Sequence, residues 1–115
     1  MRTGRWPPTR GHLIELVKQA IVDAYGNSEQ RVGFFTMLED NLALPFETEV
    51  FGSTVTVERI DLTDSDEIIA VCRRGRRRQA ISILELPLPK SPPAGAEWIE
   101  AYRCWARGLQ VGHAS

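Results

Sequence analysis

Cysteine is scarce in this chain. Cys72 and Cys104 are the only two, and no C-x-x-C pair exists. A disulfide framework and a cysteine-based zinc site both lack material. Histidine is equally rare, with His12 and His113 near opposite ends. The arginines beside Cys72 could lower its pKa, yet no histidine is placed to serve it as a base. Glycine-rich phosphate loops and the G-x-S-x-G elbow are also missing. Enzymatic chemistry is therefore the weakest reading. No apolar run reaches the roughly 18 residues that a membrane-spanning helix needs. Met1 to Pro8 carries two arginines but no apolar stretch before Thr9, so it reads as a loose arm and not a secretory signal. The expected setting is the cytoplasm, with both cysteines as structural thiols.

What is present is ordinary in bulk and uneven in arrangement. The 115 residues, 43% hydrophobic and 25% charged, suit one soluble domain able to bury a core. That domain is expected over residues 9–107, with a tail at 108–115. The net charge of −1 hides three blocks. Residues 1–38 carry a net +2 and residues 68–115 a net +5. Residues 39–67 hold nine acids against Arg59 alone. Such a swing points to a charged partner.

Two helices come first. Leu13, Leu16, Val17, Ala20, Ile21 and Ala24 form one stripe at helical spacing, with Thr9 as its cap and Gly26 after its end. Asn27 with Gln30 three residues later suggests a variant capping box for the next helix. That helix would bury Val32, Phe34, Phe35, Leu38 and Leu42 and end near Asn41 to Leu44, before Pro45. The period then changes to two. Phe46, Thr48 and Val50 alternate with Glu47 and Glu49, and Gly52-Ser53 makes a turn. Val55 and Val57 point one way, while Ile60 and Leu62 follow with shifted parity, predicting a bulge near Glu58 and Arg59. Strands are expected again at Ile69 to Val71 and from Ala80 to Leu86, broken at Arg74-Gly75. A proline-rich connection over 87–93 leads to a last helix carrying Trp98, Ala101, Tyr102 and Trp105 on one face. The expected fold is α+β: two N-terminal helices, a largely antiparallel, curled or barrel-like sheet of four to five strands, and one C-terminal helix.

The acidic block supplies oxygen ligands of the kind a hard cation such as Ca2+ takes, about six to eight at a time. Its carboxylates fall into three groups. Glu39 and Asp40 sit at the end of the second helix, where free carbonyls and the negative pole of the helix make acids costly unless a cation is bound. Glu47 and Glu49 share one face of a strand. Asp61, Asp64 and Asp66, with Glu67, surround one turn. This turn is not an EF-hand: Glu67-Ile68-Ile69-Ala70 stands where that loop needs its glycine and distant glutamate. Without a cation, the same residues make a solvated helix end, the wet side of a strand and a self-bonded polar turn.

At these residues the chain resembles the cyanobacterial-type calcium-binding family CcbP. The resemblance runs through Phe34-Phe35-Thr36-Met37-Leu38-Glu39-Asp40-Asn41-Leu42 and Leu44-Pro45-Phe46-Glu47-Thr48-Glu49-Val50. It continues in Val55-Thr56-Val57-Glu58, Ile60-Asp61-Leu62 and Ala70-Val71-Cys72-Arg73-Arg74-Gly75. It closes with Ile83-Leu84-Glu85-Leu86-Pro87-Leu88-Pro89 and Glu97-Trp98-Ile99-Glu100-Ala101-Tyr102-Arg103, spanning about residues 13 to 105. It implies a small soluble bacterial protein that binds calcium through surface carboxylates, as a buffer or sensor. Glu39, Asp40 and the Asp61 to Asp64 turn are the positions carried over. The chain departs from the family's acidic character in being nearly neutral, with a strongly basic hairpin.

That hairpin opens two further readings. Arg73, Arg74, Arg76, Arg77 and Arg78 put five arginines around Gly75. They could bind phosphate or follow a nucleic-acid backbone, although no aromatic residue is interleaved for base stacking. Alternatively, alternate arginines pair with the acidic segment across the sheet. A third class, a protein-interaction module, rests on the proline-rich 87–93 stretch, which otherwise serves as a rigid connection.

Overall fold

The computed structural model describes residues 6–108. The expected arm and tail therefore lie largely outside the described residues.

Helix α1, Arg10–Ile21, starts where Thr9 Oγ1 accepts the backbone N–H of His12 at 3.1 Å, satisfying one of the donors a helix start leaves free. It buries Leu16, Val17 and Ala20. The helix stops before Ala24, and Asp23 adopts a left-handed φ of 65°. Helix α2, Asn27–Asn41, buries Phe34 and Leu38. Its N-cap is Gly26, not Asn27, and makes no side-chain bond. Glu29 does the reaching back, its Oε1 accepting the N–H of Tyr25 at 2.8 Å. Val32 falls outside the buried stripe and is exposed. The two helices touch closely because position 33 is glycine: a Cβ there would lie 2.1 Å from the carbonyl oxygen of Ala20.

Four strands follow: β1 Phe46–Val50, β2 Ser53–Leu62, β3 Ile68–Arg74 and β4 Arg77–Ser82. They form one antiparallel sheet in the order β1-β2-β3-β4. The α+β fold and the antiparallel sheet of four strands are as expected; of the two forms expected, curled or barrel-like, a closed barrel is not formed, and β1 and β4 are edges. The expected bulge is present, as a register shift between Val57 and Arg59. It lets Val55, Val57 and Ile60 all reach the core despite their changed parity. The β1–β2 turn is Phe51-Gly52, one residue earlier than the composition suggested, with φ of 50° and 79°.

The apolar run from Ala80 to Leu86 is not one strand. β4 begins at Arg77 and ends at Ser82, whose Oγ accepts the N–H of Leu84 and whose carbonyl accepts that of Glu85. The side-chain bond offers the backbone an alternative to the ladder. Ile83 and Leu86 are nevertheless fully buried.

Helix α3, Glu97–Ala106, packs on α1 and α2, and α2 packs on β2. One core therefore fills the space between the helices and one face of the sheet. Arg103 secures α3. Its guanidinium donates to the carbonyls of Ile83 and Leu86, and to Glu100 at 3.3 Å. Phe34, Tyr102 and Trp105 form an aromatic cluster with centroids 5.3–5.8 Å apart. The Trp105 indole N–H donates to Gln30 at 2.9 Å, and the Arg31 guanidinium lies 5.9 Å from the Trp105 ring.

Candidate metal-binding surface

The three acidic groups occupy three different places. Glu39 and Asp40 are exposed on the last turn of α2. The carbonyls expected to assist them are partly engaged. Met37 O accepts from Asn41 Nδ2 at 2.8 Å, and Leu38 O accepts the N–H of Leu42 at 2.9 Å. Asn41 O faces Gly95, where a Cβ would come within 2.1 Å. The Ala94-Gly95 backbone thus covers the helix end, fastened by Ala43 N–H donating to Ala94 O.

Glu47 and Glu49 project from the outer face of β1, exposed on either side of buried Thr48. They form one wall of a groove of about 560 Å³, completed by Thr54 and the Pro87–Lys90 segment. Thr48 Oγ1 donates to Pro87 O at 2.7 Å and holds that segment beside the edge strand. The proline-rich connection is here a strap along the sheet.

The β2–β3 turn is bonded largely to itself. Thr63 Oγ1 accepts the N–H of Glu67 at 3.0 Å, and Thr63 O accepts that of Asp66 at 2.9 Å. Asp61 Oδ1 accepts the N–H of Leu62, and Asp61 Oδ2 lies 3.9 Å from Arg59. Asp66, with φ of 65°, accepts from Ser28 Oγ at 2.8 Å through Oδ2 and from Arg31 through its carbonyl. The turn is therefore tied to the start of α2, a contact between distant segments that no local spacing announces.

The structure sorts these acids by availability. Asp61 and Asp66 are already engaged. Glu58 is fully committed, accepting Arg73 Nε at 2.6 Å and Arg78 Nε at 2.9 Å. These two hydrogen bonds, Arg73 first, hold its carboxyl below the usual value of 4.5. The expected pairing of alternate arginines with the acidic block is real for this one residue. The carboxylates of Glu39, Asp40, Glu47, Glu49 and Asp64 make no hydrogen bond or ion pair among the described residues. Among the described residues, no three His, Cys, Asp or Glu side chains come together as a metal cage. The donors have the hard oxygen chemistry that calcium prefers, in an open arrangement that water must complete.

The thiols offer no competing chemistry. Cys72 is buried and Cys104 half-buried, both free. Burial pushes both thiols up, and at Cys104 the charge of Glu100 adds to the rise while Arg107 and Arg10 oppose it. No helix among the described residues is long and apolar enough to cross a membrane.

The chain matches the family Calci_bind_CcbP, described as calcium binding, over residues 15–106. The chain belongs to the CcbP calcium-binding family. Calcium binding is the activity of CcbP proteins, and Ca2+ is the ion bound. The match runs from the middle of α1 through the end of α3, so it takes in α2, the whole sheet and α3. No curated protein and no solved structure matches it.

Proposed function

We propose that the protein is a non-enzymatic, cytoplasmic calcium buffer that holds its ions at exposed carboxylates the fold leaves unpaired. The observation that supports this most directly is the sorting of the acidic block. Among the described residues, five of the seven candidate ligands, Glu39, Asp40, Glu47, Glu49 and Asp64, carry unengaged side chains, and no three acids converge. Each ion then meets at most two carboxylates, with carbonyls, hydroxyls and water filling its shell. Glu47 and Glu49 are the leading pair, because the strap and Thr54 give them a concave wall. Asp61 and Asp66 have a lesser share, because a cation must displace Arg59 or Ser28 there. Free thiols are in keeping with a reducing compartment.

Sites of this kind bind with dissociation constants of roughly 10⁻⁶ to 10⁻³ M. Added salt weakens them by screening. Magnesium competes poorly because it sheds its waters reluctantly. Calorimetric titration with calcium at low and physiological salt tests the reading, with Glu47→Gln/Glu49→Gln and Asp61→Asn beside the parent protein. Weak, salt-sensitive binding that drops most in the Glu47/Glu49 variant is expected. A single tight site indifferent to salt contradicts it.

A further inference from the structure

The five arginines of the β3–β4 hairpin are not equivalent, and the strand pairing divides them. Arg73 stands opposite Arg78, and Arg74 opposite Arg77. Successive side chains leave a strand on opposite faces, so each pair has its own face of the hairpin. Like charges placed directly opposite on a sheet destabilise it. For Arg73 and Arg78 the fold supplies the remedy: Glu58 bridges both, one carboxylate oxygen to each guanidinium. Arg74 and Arg77 carry the same unfavourable pairing with no carboxylate among the described residues to relieve it. Arg76, in the turn after Gly75, is likewise unpaired. These three guanidiniums and the Gln79 side chain line one concavity of about 440 Å³ at the hairpin tip.

We infer that this concavity is a binding site for a phosphoryl anion, which does for Arg74 and Arg77 what Glu58 does for Arg73 and Arg78. Guanidinium forks match the oxygens of phosphate bidentately. The chemistry favours phosphate over carboxylate. One carboxylate suffices for two arginines on the Glu58 face. The second face has a third arginine and a neutral amide donor, and so suits an anion with more charge and more oxygens. A diphosphate group supplies both. A nucleic-acid strand fits less well, because no aromatic side chain lies among these residues to stack a base.

The test is a titration of the calcium-free protein with sodium pyrophosphate at low salt. Parallel arms use inorganic phosphate, triglutamate and a single-stranded oligonucleotide. Arg74→Ala/Arg77→Ala removes the facing pair, and Arg74→Lys/Arg77→Lys keeps charge but loses the fork. Lys90→Ala removes a positive charge elsewhere, and circular dichroism verifies that every variant is folded. Saturable one-to-one binding of pyrophosphate is expected, tighter than that of inorganic phosphate. It should weaken about tenfold or more in the alanine pair and by less in the lysine pair. It should be unchanged in Lys90→Ala. Absence of saturation, or an equal loss in Lys90→Ala, overturns the site. Triglutamate binding as well as pyrophosphate overturns the choice of phosphate. An oligonucleotide binding more tightly as it lengthens overturns the small-anion reading in favour of a strand.

Discussion

Glu58 shows how much one side chain can reorganise a charge pattern. Its carboxylate takes hydrogen bonds from Arg73 and Arg78 that hold its pKa below 4.5. A depressed carboxylate contributes stability above its unfolded pKa and loses it as pH falls through the folded value. The parent protein should therefore melt higher than Glu58→Gln at pH 7, and the gap should close as pH drops below 4.5. Thermal melts of both proteins from neutral pH downward read this. A gap that stays constant into acid would assign the stabilisation to something other than the ionised carboxylate. The shifted parity of Ile60 and Leu62 implies a bulge beside Glu58, and the opposed charge blocks imply cross-sheet arginine pairing. No local pattern singles out Glu58 among the acids of its block, because the choice depends on which residue the bulge and register bring beside Arg73 and Arg78. The engagement of Asp66 by Ser28 was hidden for the same reason, since the partners are 38 residues apart.

Among the elements, the helices were readable where apolar spacing was strict and a cap was local, as at Thr9. Their ends depart from the apolar spacing where a backbone conformation decides, as at Gly26 and Asp23 with positive φ. The strand after Gly75 ends short of the apolar run because Ile83 and Leu86 are buried without being in a strand, and burial alone does not reveal local geometry. The β1–β2 hairpin turn has a cost of its own. Both central residues, Phe51 and Gly52, have positive φ, a conformation that suits asparagine followed by glycine and costs a large side chain about 1–2 kcal/mol. Phe51 is fully exposed, so its ring contributes no packing in return. Phe51→Asn should raise stability by about 1 kcal/mol, seen as a higher denaturant midpoint with an unchanged slope. An unchanged midpoint would mean that the turn is not strained.

For the molecule as a whole, the segregation of charge visible in the sequence survives folding only in part. Among the described residues, acids stand free on β1, at the end of α2 and in the β2–β3 turn, while the hairpin tip keeps three arginines without partners. The α+β class and the order of elements were legible because periodicity changes cleanly from 3.6 to 2 and back. The open sheet was not, since closure depends on strand geometry that composition does not encode. The three acidic groups are legible as a helix end, a strand face and a turn, but which of their carboxylates are engaged is not, because a partner such as Ser28 for Asp66 comes from a distant segment. The calcium buffer proposed for this chain has no need to change shape, and the aromatic cluster makes that testable. Trp105 lies against Phe34 and Tyr102 and is hydrogen-bonded to Gln30 of α2, the helix that ends in Glu39 and Asp40. Its emission is thus a built-in optical gauge of how α2 sits on α3. In a Trp6→Phe/Trp98→Phe variant, which leaves Trp105 as the sole tryptophan, saturating calcium should leave the wavelength and intensity of the emission unaltered, whereas a shift would show the helices moving and make the protein a sensor.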